Sequence, residues 1–208
     1  MRISKLHFIA ATPQQAEQAC AGGVRWVQLR VKNASAADWE TLARATQQVC
    51  RRYKATLLIN DNPALARAIG ADGVHLGKED MAPDSARALL GPKFIIGGTA
   101  NTFQDIERLA AVGVDYIGLG PLRFTTTKQK LSPLLGLAGY QALLQQVRAA
   151  GITVPIVAIG GILKSDVGLL LEAGLHGVAL SGAISTAADP AAEAALFLDQ
   201  LYPQVTHI

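Results

Sequence analysis

Three threonines and a lysine stand in a row at positions 125–128, just after an apolar run that breaks at Gly120-Pro121. Hydroxyl and ammonium groups donate hydrogen bonds, and the oxygens of a phosphate or pyrophosphate accept them. A buried core has no use for four such groups together. We therefore predict an oxyanion site here, at the end of a strand. Whether the surrounding loop, residues 120–134, is a mobile lid stays open.

Two cations and an amide alternate at the end of another apolar run, at Gln28, Arg30 and Lys32. Successive side chains of an extended segment point to opposite sides, so these three lie on one side. Two cations held close together are costly unless an anion meets them. The segment therefore indicates a second anion-binding area. The alternative is an exposed strand end whose charges are solvated.

Two acidic residues follow two further apolar runs. Asp61 comes directly after Asn60 at the end of one run, and Asp80 follows the next run along the chain. Mg²⁺ prefers oxygen ligands and shares carboxylates with substrate phosphates and water. The pair therefore predicts a magnesium site. The alternatives are a turn in which Asp61 or Asn62 caps a helix, and a polar loop in which Asp84 does so.

Glycine-rich turns follow three other apolar runs, and they contain Thr99, Gly161 and the pair Ser181-Gly182. Glycine lets a ligand approach the backbone closely, and a turn that leads into a helix N-terminus can bind phosphate. We expect the turns at Gly161 and Ser181-Gly182 to form a phosphate cradle. For the first turn the alternative is a plain connection in which Asn101 or Thr102 caps the following helix.

A repeated phrase indicates which elements position these groups. Each copy has a glycine that ends a helix, a short turn and an apolar strand, as expected for parallel strands buried on both faces. The copies are Ala21–Leu29, Ile69–Leu76, Val112–Leu119 and Ala173–Leu180. Between them lie the further strand candidates Leu6–Ala10, Thr56–Asn60, Phe94–Gly97 and Val154–Ile159.

A helical pattern follows each strand candidate. The clearest helical patterns are Ala36–Tyr53, Ser85–Leu90, Gly139–Ala150 and Pro190–Leu201, the last with Asp189 as its cap. Eight strand–helix units in a chain of this length predict a (β/α)8 TIM barrel, a single domain over residues 1–208. An open doubly wound sheet is the alternative. In a barrel the carboxyl ends of all strands meet at one face, so the polar groups above should converge there.

The composition limits the kinds of molecule that the chain is expected to bind. The chain has 208 residues and a net charge of +3 without a block of like charge, which does not indicate nucleic-acid binding. The apolar run near the N-terminus is too short for a signal peptide or a membrane span, so we expect a cytoplasmic protein without membrane contact. Cys20 and Cys50 lie in helical patterns and are read as small core residues. His75, within a strand, is read as a core or supporting residue. The sequence leaves a homo-oligomer open.

Taken together, the motifs resemble those of the thiamine-phosphate synthase family, in the same order and over most of the chain. The motifs that carry the resemblance are Val27–Lys32, Asn60-Asp61, Gly73–Asp80, Gly118–Pro121, Thr125–Lys128 and Ala158–Ile162. The resemblance implies a (β/α)8 barrel that joins a pyrimidine methyl diphosphate to a thiazole ethyl phosphate and releases pyrophosphate. It also implies that pyrophosphate leaves first, and that the thiazole nitrogen then attacks a pyrimidine methyl cation, so no nucleophilic side chain is required.

The resemblance also implies a role for each candidate residue. The pyrimidine diphosphate would be bound by Gln28, Arg30, Lys32 and Asn60. Asp61 and Asp80 would bind Mg²⁺, the implied cofactor. The leaving pyrophosphate would be bound by Lys128, with Thr99 nearby. The thiazole phosphate would be bound by Thr125, Thr127, Gly161, Ser181 and Gly182. The catalytic residues would be Arg30, Lys32 and Lys128.

The chain departs from the family pattern at a few positions. Val31 stands where the family usually has Glu, Thr99 replaces Ser, and Ala10-Ala11 replaces Thr-Asp. Near the last strand the serine is displaced by one position, to Ser181. Two alternative functions stay open at this point. One is a thiazole tautomerase on the same barrel, and the other is a non-catalytic sensor that binds thiazole phosphate.

Overall fold

A computed structural model describes residues 2–124 and 133–203. Within these residues, eight parallel strands close into a barrel in which each strand pairs with its neighbours in the sequence and the last pairs with the first. The strands are β1 Leu6–Ala10, β2 Trp26–Leu29, β3 Thr56–Asn60, β4 Gly73–Leu76, β5 Ile95–Ala100, β6 Tyr116–Leu119, β7 Ile156–Ile159 and β8 Gly177–Leu180. The predicted TIM barrel is confirmed, and the doubly wound alternative is wrong. The domain limits 1–208 stay a prediction.

Helices alternate with the strands and cover the outside of the barrel. They are α1 Pro13–Ala21, α2 Ala36–Tyr53, α3 Pro63–Ile69, α4 Pro83–Leu90, α5 Phe103–Ala111, α6 Gly136–Ala149, α7 Val167–Ala173, α8 Gly182–Ser185 and α9 Pro190–Leu201. A 3-10 turn, Lys164–Asp166, precedes α7. Cys20 and Cys50 are buried in α1 and α2, as predicted. Among the helices in the described ranges, none is both long and apolar enough to cross a membrane.

The helix starts follow local capping chemistry. The side chains of Asn62, Thr102 and Asp189 each accept a backbone N–H from the first turn of the next helix, as the sequence predicts. Asp84 does not cap, contrary to the expectation for its loop. Because Pro83 occupies the first helical position of α4, Asp84 falls inside the first turn, and Ala82 stands at the cap position without a side-chain bond.

Strand β5 is longer than predicted. The glycines that indicated a turn after Gly97 lie inside the strand, and Thr99 lies there too. Backbone pairing with both neighbours explains the difference, since Gly98 pairs with Leu76 of β4 and Thr99 pairs with Gly118 of β6. Thr99 is therefore held by the barrel itself and not by a loop.

The barrel interior is filled by side chains from alternate positions of the strands. One buried layer consists of Ile9, Trp26, Leu58, Ile95, Tyr116, Val157 and Ala179. His7 packs into this layer, with its ring stacked 4.5 Å from that of Trp26 and edge-on at 4.8 Å to that of Tyr116. This layer fills the barrel interior below the carboxyl ends, where the predicted polar groups lie.

Candidate active site

The predicted polar groups after β2 and β8 meet at one cavity. It encloses about 340 Å³ at the carboxyl ends of β1, β2 and β8 and is lined by Ile9, Ala10, Ala11, Arg30, Val31, Lys32 and Ser181. The backbone N–H of Arg30 donates to Ala10 O at 2.8 Å, which fixes the loop after β2 against β1. The small side chains at Ala10 and Ala11 therefore border the cations directly. Arg30 and Lys32 therefore line the same cavity as Ser181 of the predicted phosphate cradle.

Arg30 and Lys32 place two positive charges on this cavity. Partial burial and the charge of Arg30 lower the pKa of Lys32 below its ordinary value. Each cation raises the electrostatic free energy of the other, and a bound anion would lower the electrostatic free energy of both. The pair suits a ligand that carries more than one negative charge.

Gln28 and Asn60 lie deeper, on adjacent strands inside the barrel. Both are buried, at 4% and 5% exposure, and Gln28 Nε2 donates to Asn60 Oδ1 at 2.6 Å. Reversing one amide alone would place like groups together, so the orientations of the two amides are linked. The structure brings these two predicted ligands together.

Asp61 and Asp80 lie after the neighbouring strands β3 and β4. Asp61 has a left-handed backbone, with φ of 62°, and its N–H donates to His75 O at 2.9 Å. Asp80 Oδ2 accepts the N–H of Gly77 at 2.6 Å, which ties its carboxylate to the end of β4. In the ranges that the structure describes, no three His, Cys, Asp or Glu side chains form a cage for a metal. Two carboxylates suit Mg²⁺, which takes its other ligands from phosphate and water.

Thr99 ends a chain of three side chains inside the barrel. His75 Nδ1 lies 2.8 Å from the hydroxyl of Tyr116, and His75 Nε2 lies 3.0 Å from Thr99 Oγ1. Burial raises the pKa of Tyr116 well above its ordinary value, so the phenol stays protonated. In the tautomer in which the phenol donates a hydrogen bond to Nδ1, the imidazole proton is on Nε2 and donates to Thr99. In that tautomer Thr99 keeps its own proton to donate to a ligand. His75 is buried, as expected for a core residue, and its supporting role stays a prediction.

Tyr116 was not among the predicted site residues. The signal that could have found it is its alternation with Gly118 along β6, because this places both residues on the inner face with His75. A Cβ at Gly118 would lie 3.1 Å from His75 Cε1, and one at Gly97 would lie 2.2 Å from Tyr116 Cζ. The two glycines thus leave the space that the histidine and the tyrosine occupy.

The turn after β7 packs against the start of the loop after β6. Gly160 and Gly161 have positive φ values of 94° and 66°, and the backbone N–H groups of Leu122 and Arg123 donate to the carbonyls of Ile159 and Gly160. Glycine is required here because a side chain would need both a left-handed backbone and space that the loop already fills. The predicted turn at Gly161 is therefore part of a two-loop assembly.

The turn after β8 is the other predicted half of the cradle. Ser181 lies at the end of β8, and α8 begins at Gly182. The carbonyl of Ser181 accepts N–H groups from Ile184 and Ser185, whereas its side chain caps no N–H of the described α8. Thr125, Thr127 and Lys128 lie outside the described residues, so their predicted roles stay predictions.

A model of one protein family matches residues 3–184, and its description is thiamine monophosphate synthase. The chain belongs to the thiamine-phosphate synthase family. It is 52% identical over 180 residues to the thiamine-phosphate synthase of Bacteroides thetaiotaomicron, an alignment that covers 86% of each chain. It is 49% identical over 183 residues to that of Flavobacterium johnsoniae, covering 88% of this chain and 86% of the relative.

A solved structure supports the same placement. The thiamine phosphate pyrophosphorylase of Pyrococcus furiosus superposes with a TM-score of 0.83 at 28% identity, and the match covers 95% of both chains. The membership in the thiamine-phosphate synthase family that the motifs predicted is confirmed. The roles of the individual residues within this family are a separate matter and remain predictions.

Proposed function

We propose that this chain is a transferase that couples a pyrimidine methyl diphosphate to a thiazole ethyl phosphate, giving thiamine phosphate and pyrophosphate. Family membership supports the reaction, and the relatives that match over 86% of the chain are named as synthases. The observation that carries the proposal is the convergence of two cations and two carboxylates at one barrel face. A tautomerase would have no need of paired carboxylates beside a diphosphate site.

In this proposal the pyrimidine ring lies above the buried pair Gln28 and Asn60, whose linked amides orient it. Arg30 and Lys32 bind the diphosphate at the cavity wall. Thr99 donates a hydrogen bond from its hydroxyl to the departing group, because His75 already occupies one lone pair of the threonine oxygen. These residues bind and orient the reactants, which is the principal requirement of a reaction between two bound substrates.

Asp61 and Asp80 would hold Mg²⁺, which supplies positive charge to the pyrophosphate as negative charge develops on it. The carbon–oxygen bond to the diphosphate breaks with both electrons going to the leaving oxygen, and a pyrimidine methyl cation is left. The thiazole nitrogen then donates its lone pair to that carbon. No side chain forms a covalent bond, so Arg30, Lys32 and Lys128 act catalytically through charge alone.

The thiazole phosphate would be bound by backbone N–H groups at Gly161 and at Ser181-Gly182. We assign Thr125 and Thr127 to the same phosphate and Lys128 to the departing pyrophosphate, by the family pattern. The partners are thus two small anionic substrates and Mg²⁺. The proposal includes a cytoplasmic location, which suits two buried cysteines that are both free thiols. A homo-oligomer is left open.

The test is a coupled assay with the purified chain, both substrates and Mg²⁺, in which thiamine phosphate and pyrophosphate are both quantified. We expect the two products in equal amounts, and no product when either substrate is omitted. Arg30→Ala should lower turnover at least tenfold, whereas Arg51→Ala, at an exposed arginine in the last turn of α2, should not. Isomerisation of a thiazole carboxylate without coupling would support the tautomerase. Thiazole phosphate binding without turnover would support the sensor.

A further inference from the structure

An ion pair between the exposed Arg123 and the buried Asp166 joins the loop after β6 to the turn after β7. The guanidinium of Arg123 donates to both carboxylate oxygens of Asp166, with Nη2 2.7 Å from Oδ1 and Nη1 bonded to Oδ2. Arg123 Nη1 also donates to the carbonyl of Gly161 at 3.1 Å. One side chain thus holds both an acid and a backbone carbonyl of the neighbouring loop.

Asp166 is built into that neighbouring loop. It is 8% exposed, its Oδ2 also accepts the N–H of Leu163 at 2.8 Å, and it stands at the start of α7. A carboxylate held at both oxygens cannot rotate away, so it is a fixed anchor for the arginine. Bidentate pairing with a carboxylate is the strongest geometry available to a guanidinium group.

The backbone carbonyls of the β7 turn point toward Arg123. The carbonyl of Gly160 accepts the backbone N–H of Arg123 at 3.0 Å, and that of Gly161 accepts from its side chain. In a trans peptide the C=O and the following N–H point in opposite directions. The N–H groups of Gly161 and Ile162 therefore point away from Arg123.

These two N–H groups are successive donors on a left-handed turn. Neither has a hydrogen-bond acceptor within residues 2–124 and 133–203. Successive backbone N–H groups next to a left-handed residue form a concavity that binds anions. The turn therefore presents an anion site. Arg123 fixes the direction of its N–H groups by bonding the carbonyls on the opposite side of the turn.

We propose that Arg123 and Asp166 are positioning residues that orient the Gly161 and Ile162 N–H groups toward the thiazole phosphate. This inference rests on the proposed function of the site. The charges of the pair cancel, and Arg123 is committed to the acid and to the Gly161 carbonyl. It therefore acts through the turn and does not serve as a phosphate ligand.

A second pair in the chain provides a matched control. Arg87 Nη2 lies 2.7 Å from Asp115 Oδ2, and Arg87 Nη1 donates to the carbonyl of Gly91 at 3.2 Å. This pair also combines an arginine, an aspartate and a glycine carbonyl. It lies at the amino-terminal end of β6, which starts at Tyr116, and so at the opposite face of the barrel from the site.

The test compares Arg123→Ala, Asp166→Asn, their double variant, Arg123→Lys and Arg87→Ala with the wild type. Asp166→Asn keeps an acceptor for Leu163 N–H but removes the charge. We expect both single variants to raise the KM for thiazole phosphate at least tenfold and to change the KM for the pyrimidine diphosphate less than twofold. The double variant should be no worse than either single one, and Arg123→Lys, which cannot pair in a bidentate way, should not recover. Arg87→Ala should keep both KM values.

Calorimetric affinities for thiazole phosphate separate this inference from the function. If the wild type binds thiazole phosphate without coupling, the proposed reaction is contradicted. The expected order of variant affinities would then still support the positioning role of Arg123 and Asp166. A wild type that neither binds thiazole phosphate nor couples it would contradict both the proposed reaction and the positioning role. An effect of Arg123→Ala that Arg123→Lys restores and Asp166→Asn does not share would make Arg123 a direct ligand and overturn the inference. Variants that all stay within twofold of the wild type would overturn it too.

Discussion

Backbone contacts hold both Asp61 and Asp80 in place. The left-handed backbone of Asp61 is costly for most side chains but is tolerated by Asp and Asn. The N–H of Asp61 is held by His75 O, and the carboxylate of Asp80 is held by Gly77 N–H. A change from Asp to Asn therefore keeps the shape and the acceptor at both positions while it removes one negative charge.

We predict that Asp61→Asn and Asp80→Asn each lower turnover at least 100-fold at low Mg²⁺ and raise the Mg²⁺ concentration for half-maximal rate at least tenfold. The reason is that each variant replaces a carboxylate ligand of the metal by a neutral amide oxygen. Thiazole phosphate affinity should change less than threefold, because the metal serves the diphosphate. A Mg²⁺ titration of the coupling rate, together with calorimetry of the thiazole phosphate, measures both.

Asp84→Asn is the control for these two variants, since it removes an exposed carboxylate from the first turn of α4. It should keep the wild-type Mg²⁺ dependence. If Asp61→Asn or Asp80→Asn does the same, the carboxylate at that position is no part of the metal site.

At the scale of elements, the fit between strands β5 and β6 depends on a residue without a side chain. A Cβ at Gly97 would lie 2.2 Å from Cζ of Tyr116, whose ring is fully buried and packs against His7 and Trp26. The ring has no space to move into, because its neighbours fill the interior layer. Gly97 thus decides whether β6 can place Tyr116 beside His75.

We predict that Gly97→Ala lowers the free energy of unfolding by about 3 kcal/mol or more, at the upper end of the cost of adding a methyl group to a packed core. Gly168→Ala in α7 is the control, because a Cβ there meets no atom within 4 Å. Alanine should leave stability unchanged or raise it by roughly 0.5–1 kcal/mol at that helical position. Urea unfolding followed by circular dichroism measures both variants, and equal midpoints for the two would contradict the packing argument.

The same elements show what the sequence can predict. The repeated glycine–turn–strand phrase located β2, β4, β6 and β8 because each copy contains its own stop signal and apolar run. The end of β5 was predicted wrongly, since Gly97-Gly98 has the composition of a turn and only pairing with two neighbouring strands makes it extended. Local composition cannot report that pairing, which joins residues far apart in the chain.

The site was predictable to a similar extent. Alternation along a strand located Gln28, and the position at a strand end located Asn60; the structure brings the two together as a buried pair. The bond between Arg123 and Asp166 joins residues 43 positions apart on different loops. No periodicity or spacing connects them. Only the folded chain shows that Arg123 and Asp166 contact the turn at Gly161 on the side opposite its N–H groups.

At the scale of the whole molecule, the closed barrel separates a polar mouth from an apolar interior. His7 is a titratable group whose pKa this interior shifts. Burial, together with the charges of His75 and His176, lowers its pKa from 6.5 to about 3, although a bond to the Ser4 carbonyl opposes the shift. Its Nδ1 has no hydrogen-bond partner in the described residues. The folded chain therefore keeps His7 neutral over a pH range in which the unfolded chain protonates it.

This difference predicts an acid-sensitive stability. Between pH 6.5 and about 3 the unfolded chain binds a proton at His7 that the folded chain does not bind, so the free energy of unfolding falls as the pH falls. The slope from this residue approaches roughly 1.4 kcal/mol per pH unit within that window. Hydrogen bonds from Arg123 lower the pKa of Asp166 below 3.8, so the loss of that ion pair begins only at lower pH. Measurements between pH 7 and 4.5 therefore stay above the pH range in which this ion pair is lost.

His7→Phe tests the assignment because phenylalanine preserves a ring between Trp26 and Tyr116 but cannot be protonated. We expect it to cost about 1 kcal/mol at pH 7, through the lost bond to Ser4 O, and to flatten the fall in stability toward pH 4.5. His176→Gln leaves His7 in place and should retain the wild-type fall. Urea unfolding of the three proteins at a series of pH values gives the comparison. A His7→Phe protein that loses stability as steeply as the wild type would show that the acid sensitivity arises outside the barrel interior.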